Sequence, residues 1–209
     1  MERSRALGVA AFLTKPVELP RLLTKIEALR GLGLEWHLIG HLQSNKARDA
    51  AALFDWVQTL DRPKLVAALA QHRASTRPPL NVLIQVNIDD ESSKHGCRPE
   101  AIATLADAIA AQPRLALRGL MAIPAPHSDP ESRRPAFRRM KQLFDELGSQ
   151  HPRIDTLSMG MSDDFDVAIE EDELGVRLVE VGAEDARPTR VRVVGSGRAH
   201  ARHRLSVLI

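Results

Sequence analysis

Hydrophobic residues recur along the chain in short runs that alternate with amphipathic segments. The runs predict seven strands, near residues 8, 36, 54, 80, 115, 156 and 176. Most of the segments between them have helical spacing of apolar residues, as in residues 99–111, and Asp61 is predicted to cap the helix that begins near residue 64. Strands that alternate with helices of this length indicate βα units and a parallel sheet.

The order of these elements favours a TIM-barrel-like (β/α)₈ fold of the α/β class. Seven strands are one short of a complete barrel, so we expect the barrel to be incomplete. A doubly wound sheet is the alternative, although no G-x-G-x-x-G motif follows the first strand. No Gly/Ser linker divides the chain. The predicted organisation is one barrel domain over residues 1–182 and an Arg-rich tail over residues 183–209, which we expect to be disordered.

Composition narrows the expected chemistry. Aromatic residues make up 3% of the chain and Tyr is absent, so the core must be aliphatic and one common acid or base is missing. The net charge is +2, and six Arg between residues 187 and 204 account for more than all of it. The body therefore carries no nucleic-acid footprint. One Cys and no long apolar run favour a cytoplasmic protein without a membrane span.

The stretch over residues 156–164 is typical of a strand, a Gly-containing turn and a helix start. Ser162 can cap the helix, and free backbone N–H groups at such a turn form a cradle for phosphate. An ordinary strand-to-helix turn is the alternative. Arg177 follows in the last strand and suits the same anion, although it could instead pair with Glu170 or Glu173. Lys15 ends the first strand and could bind an aldehyde cofactor, with a solvated surface group as the alternative.

The sequence predicts no metal site. His37 and His41 are four residues apart, but a strand followed by a loop separates them, and no further ligand cluster joins them. Cys97 is interpreted as an incidental thiol.

Five motifs in order resemble the pyridoxal phosphate homeostasis protein family, which is similar to the barrel domain of bacterial alanine racemase. The resemblance runs from about residue 22 to residue 177. The motifs are Glu35-Trp36-His37-Leu38-Ile39-Gly40-His41-Leu42-Gln43-Ser44-Asn45-Lys46, Asn81-Val82-Leu83-Ile84-Gln85-Val86-Asn87, Ser93-Lys94-His95-Gly96, Arg118-Gly119-Leu120-Met121-Ala122-Ile123-Pro124 and Leu157-Ser158-Met159-Gly160-Met161-Ser162-Asp163-Asp164.

This resemblance implies a single barrel that binds pyridoxal 5′-phosphate and has no well-established catalytic activity. It implies that Gly160, Met161 and Ser162 hold the cofactor phosphate and that Arg177 joins them. Its partners would be the small-molecule cofactor and apo forms of cofactor-dependent enzymes. We expect a cytoplasmic monomer without nucleic-acid or membrane partners.

The chain departs from the family pattern at the site itself. Leu13 stands at the position of the family's Schiff-base lysine, and Lys15 matches the family's second lysine, two residues along the same strand. Glu180 stands where the resemblance implies a phosphate-binding Thr. One strand and one helix of the family pattern have no counterpart between residues 16 and 36, and the family's N-terminal helix is missing, which predicts a truncated barrel.

Two functions stay open on these grounds. One is a non-catalytic pyridoxal-phosphate-binding protein of cofactor homeostasis. The other is a degenerate family member that no longer binds the cofactor. A racemase-type enzyme is disfavoured because the racemase relatives use an opposed Lys and Tyr, and this chain has neither a Tyr nor a second domain.

Overall fold

A single parallel sheet organises the part of the chain that the computed structural model describes, which is residues 35–91, 94–125, 129–160, 164–171, 177–178 and 206–208. Its seven strands are β1 (Glu35–Leu38), β2 (Trp56–Leu60), β3 (Leu80–Gln85), β4 (Leu115–Met121), β5 (Thr156–Ser158), β6 (Arg177–Leu178) and β7 (Ser206–Leu208). They lie in the order β6-β5-β4-β3-β2-β1-β7, and all paired neighbours are parallel. Along the described strands the sheet ends at β6 and β7, as expected for an incomplete barrel.

One α-helix follows each of the first five strands. They are α1 (Ala47–Leu53), α2 (Pro63–His72), α3 (Ile102–Ala110), α4 (Arg134–Gln150) and α5 (Phe165–Glu170). Short 3₁₀ helices precede three of them, at Ser44–Lys46, Pro99–Ala101 and Pro130–Arg133. This succession of βα units confirms the predicted barrel-like α/β fold. Among the described helices, none has the length and apolarity to cross a membrane.

Six of the seven predicted strands are confirmed, at positions close to those expected. The predicted strand near residue 8 lies outside the described residues. One local prediction is wrong. The residue at the N-cap of α2 is Arg62, and no side-chain hydrogen bond caps this helix. Asp61 does not cap α2 because its carboxylate instead accepts a hydrogen bond from Arg62.

The end of the predicted tail returns to the sheet. Ser206, Val207 and Leu208 form β7 and pair in parallel with Glu35, Trp36 and His37 of β1. The β-branched Val207 favours a strand, and the neighbouring Arg residues obscured this short apolar run in the sequence. Residues 206–208 thus lie in a strand, and the domain boundary at residue 182 and the disorder of the tail stay predictions.

The sheet has two buried faces with different partners. Val82 and Ile84 of β3 belong to the large core between sheet and helices, whereas Leu83 belongs to a smaller cluster on the opposite face. Alternation along the strand explains this division. The smaller cluster contains Ile39, Trp56, Leu83 and Met121, and it lines the interior of the barrel-like sheet. The core is mainly aliphatic, as the composition predicted.

Gly119 marks an irregularity in β4 that positions the preceding residue. Val82 of β3 pairs with Leu117, but the next residue, Leu83, pairs with Gly119, so Arg118 has no partner in the β3 register. Gly119 has φ +151, and a Cβ there would lie 1.7 Å from the carbonyl oxygen of Thr156. Only glycine permits this approach, which resembles that at a β-bulge. The guanidinium of Arg118 lies 5.0 Å from the centre of the Trp56 ring.

Candidate functional site

The carboxyl ends of the parallel strands meet at one edge of the sheet, where barrel proteins place functional groups. The motif at residues 41–46 follows β1, and the loop that carries Lys94 and His95 follows β3. The Gly160 turn follows β5. The fold thus brings three segments that are distant in sequence to the same edge.

Gly160 forms the turn that the sequence singled out. It is buried, has φ +91 and lies two residues beyond the end of β5. A positive φ at this place indicates a tight turn of the kind whose amides bind anions. Met161 and Ser162 lie outside the described residues, so their predicted phosphate contacts stay predictions.

Arg177 lies on the strand next to this turn. Strand β6 pairs with β5, and Arg177 is opposite Thr156. Thr156 precedes Gly160 by four residues, which corresponds to about 13 Å of extended chain. The backbone of Arg177 is therefore level with the start of β5, four residues before the turn. Its assignment to the phosphate stays a prediction.

A buried ion pair joins the start of α5 to the start of α4. Arg133, at the end of the 3₁₀ helix before α4, donates a hydrogen bond to Oδ2 of Asp164, which directly precedes α5. Their side chains are only 8% and 1% exposed, so an uncompensated charge here would be costly. This contact ties α5 to the start of α4. The sequence does not reveal the burial of Arg133, because arginine in a Pro-containing loop usually lies on the surface.

A chain of polar side chains crosses the barrel interior. Ser158 Oγ donates to Gln58 Oε1 at 2.7 Å, and Gln58 Nε2 lies 2.9 Å from His37 Nδ1. Since the amide oxygen already accepts, Nε2 is the donor and His37 Nδ1 accepts, which places a neutral ring's proton on Nε2. The His37 ring also stacks on Trp56 at 5.2 Å. Nothing in the sequence indicates this contact: Ser158 lies in the fifth motif without a predicted role, and Gln58, a lone polar residue in a strand, carries no distinctive pattern.

Gln85 adds a buried acceptor at the end of β3. It is 7% exposed and lies on the same strand face as Leu83 of the interior cluster. Its Nε2 lies 3.5 Å from the carbonyl oxygen of His95, while its buried Oε1 has no hydrogen-bond partner within the described structure. Such an acceptor beside the carboxyl edge suits a ligand that carries a hydroxyl group.

Lys94 ties the loop after β3 to the end of β4. Its Nζ donates to the carbonyl oxygen of Ile123 at 3.4 Å and lies 3.6 Å from Glu91 and 3.8 Å from Asp89. These contacts give it a structural role at the edge. Lys15 and Leu13, which the sequence placed at the expected lysine position, lie outside the described residues.

Two exposed histidines stack at this edge. The ring centres of His41 and His95 are 3.6 Å apart, with 15° between the planes. Burial and the neighbouring His95 lower the pKa of His41, so its neutral form is favoured. His37, in contrast, is buried in the interior. The structure therefore separates it from the exposed His41, as predicted. Burial raises the pKa of Cys97 to about 12, which fits an inert thiol.

Comparison with known proteins identifies the family and the fold of this chain. Residues 21–183 match the family described as alanine racemase, N-terminal domain. A pyridoxal phosphate homeostasis protein from Haemophilus influenzae is 52% identical over 155 residues, which cover 73% of this chain and 64% of the relative. The Pseudomonas aeruginosa protein of the same name is 46% identical over 160 residues, covering 77% and 68%. The chain belongs to the pyridoxal phosphate homeostasis protein family, built on the alanine racemase N-terminal domain.

Solved structures agree with this assignment. PipY from Synechococcus elongatus without PLP has a TM-score of 0.70 and 30% identity, covering 79% of this chain and 77% of PipY. PipY with PLP bound gives a TM-score of 0.67 and 28% identity, covering 79% and 76%. The chain spans about 64% of the length of the Haemophilus influenzae relative.

Proposed function

We propose that this chain is a non-catalytic pyridoxal 5′-phosphate-binding protein of intracellular cofactor homeostasis. The observation that carries the proposal is 52% identity to a protein named for that role, over 155 residues. The likeness to PipY, of which a structure with PLP bound exists, supports the same cofactor. The chain spans 64% of the length of that relative, so we infer the relative's function for this chain as a proposal.

The described residues fit a phosphate-bearing ring at the carboxyl edge. The positive φ of Gly160 supports a phosphate turn with Met161 and Ser162, and Arg177 lies on the neighbouring strand. Gln85 contributes a buried acceptor without a hydrogen-bond partner among the described residues, which suits the ring hydroxyl of the cofactor. The polar chain from His37 to Ser158 would form the floor beneath the ring.

Covalent attachment is proposed at Lys15, two residues beyond Leu13 in the predicted first strand. Among the described lysines near the edge, Lys94 is held by Asp89, Glu91 and Ile123. The alternative function is a degenerate member that no longer binds the cofactor. The presence of Leu13 in place of the family lysine and of Glu180 in the predicted last strand favours that alternative.

The remaining parts of the proposal concern setting and partners. The protein would act as a cytoplasmic monomer that stores the cofactor or delivers it to apo forms of cofactor-dependent enzymes. The absence of Tyr from the sequence supports a role without racemase chemistry, which uses an opposed Lys and Tyr.

Titration of the full chain with pyridoxal phosphate tests the proposal. We expect a visible absorbance band, a higher melting temperature, and a modified Lys15 after borohydride reduction and peptide mapping. The variant Lys15→Arg should lose the covalent label, whereas Lys141→Arg on α4 should keep it. Absence of both the band and the thermal shift would support the degenerate alternative. Labelling at a lysine other than Lys15 would contradict its assignment.

A further inference from the structure

Three metal-ligating side chains meet at the carboxyl edge, although they are far apart in sequence. His41 follows β1, Asp61 follows β2 and His95 lies in the loop after β3. These are adjacent strands in the order of the sheet, so the loops that follow them converge. One ligand atom from each residue lies within 4.8 Å of the other two.

The spacing is close to that of a metal centre. A tetrahedral ion with metal–ligand distances of about 2.1 Å holds its donor atoms about 3.4 Å apart. The donor atoms at 4.8 Å or less therefore need to approach one another by at most about 1.4 Å. Both histidines are exposed and can rotate, so this adjustment requires no movement of the sheet.

Neighbouring groups hold the carboxylate and the loop in place. Arg62 Nη1 donates to Oδ1 of Asp61 at 2.5 Å, and Arg62 Nη2 donates to the carbonyl oxygen of Leu42 at 2.9 Å. Arg62 thereby connects Asp61 to the loop of His41, while Gln85 Nε2 approaches the backbone of His95. Contacts of this outer kind orient metal ligands in proteins. The positive charge of Arg62 opposes a bound cation, so we expect micromolar affinity.

We propose that His41, Asp61 and His95 form a binding site for a divalent transition metal ion such as Zn²⁺. Two imidazole nitrogens and one carboxylate oxygen favour Zn²⁺, Co²⁺ or Ni²⁺, because Mg²⁺ and Ca²⁺ prefer all-oxygen sites. Three protein ligands leave a coordination position for water, as in open zinc sites. This replaces the expectation of no metal site, which weighed only His37 and His41 together.

Zn²⁺ titration of the chelator-treated full chain tests the site. Calorimetry should show one equivalent of Zn²⁺ bound with micromolar affinity, and Co²⁺ should give the visible absorbance of a nitrogen- and oxygen-ligated ion. Each of His41→Gln, His95→Gln and Asp61→Asn should weaken Zn²⁺ binding by about tenfold or more. Circular dichroism should stay unchanged, because the two histidines are exposed and Asn keeps an acceptor for Arg62.

Two controls separate this site from other histidines. His72→Gln, in the last turn of α2, should leave Zn²⁺ affinity within about twofold, as a ligand outside the cluster contributes nothing to it. The double variant of His200→Gln with His203→Gln tests the two histidines near the carboxyl end of the sequence. A Zn²⁺ affinity that stays within about twofold of the wild-type value in His95→Gln, or that only the double variant abolishes, would overturn the proposal. Failure of the wild-type chain to bind Zn²⁺ would do the same.

Discussion

Ser158 and Gln58 join β5 to β2 across the interior of the sheet through a hydrogen bond of 2.7 Å. Two other strands, β3 and β4, lie between them in the sheet. The contact therefore crosses the concave face of the sheet and is not part of the backbone hydrogen bonding between neighbouring strands. Both side chains are fully buried, so the pair is isolated from water and also holds the amide of Gln58 towards His37.

Ser158→Ala should destabilise the fold, because it leaves the buried Oε1 of Gln58 without its donor. An unsatisfied buried acceptor costs about 1–3 kcal/mol in the free energy of unfolding. Urea denaturation followed by circular dichroism measures the loss. Ser149→Ala is the control, since Ser149 is exposed on α4 and its hydroxyl donates to the carbonyl oxygen of Glu146 one turn earlier. That change should stay within about 0.5 kcal/mol. Equal effects of the two variants would refute a special role for the Ser158–Gln58 contact.

Gly119→Ala should be among the most damaging single-methyl additions in the chain. The added Cβ would lie 1.7 Å from the Thr156 carbonyl oxygen, and the backbone has φ +151. We expect a loss of about 3 kcal/mol or more in the free energy of unfolding, because both strain and a backbone clash must be relieved. Gly148→Ala is the matched control in α4, where a Cβ would meet nothing within 4 Å. It should stabilise by about 0.5–1 kcal/mol. A tolerated Gly119→Ala would mean that the β4–β5 pairing is incorrect.

Asp164→Asn should destabilise the region behind the Gly160 turn. The change removes the negative charge opposite the buried Arg133 guanidinium, and breaking a buried pair costs about 3–5 kcal/mol. Asp145→Asn is the control, because Asp145 is 53% exposed and its pair with Lys141 lies on the surface of α4. It should cost less than about 0.5 kcal/mol. Thermal melts of both variants would show the contrast, and similar melting temperatures would contradict burial of the Arg133–Asp164 pair.

The sequence predicted the succession of strands and helices well because each apolar run is continuous and separated by polar segments. It did not predict the polar interior, since Gln58 and Ser158 become partners only once β2 and β5 face each other. The proximity of His41, Asp61 and His95 could not be predicted either, because only the order of β1, β2 and β3 in the sheet brings their loops together. The prediction that Asp61 caps α2 was wrong because the local sequence does not show that Arg62 competes for the Asp61 carboxylate. The β7 strand was obscured by the Arg-rich composition around it.

Gly160 offers a test of the phosphate turn that is independent of covalent attachment. If the turn binds phosphate, the wild-type chain should bind pyridoxal phosphate more tightly than pyridoxal, which lacks the phosphate group. Gly160→Ala should lower the ratio of the affinity for pyridoxal phosphate to that for pyridoxal by about tenfold. The reason is that φ +91 is strained for alanine, so the turn amides would shift. Gly40→Ala is the control at the end of β1, where a Cβ would meet nothing within 4 Å and φ is not positive. Fluorescence quenching of Trp36 and Trp56 can report both affinities. If Gly160→Ala has a normal melting temperature and an unchanged ratio of the two affinities, the turn does not bind the cofactor phosphate. The barrel fold would not be affected by this result.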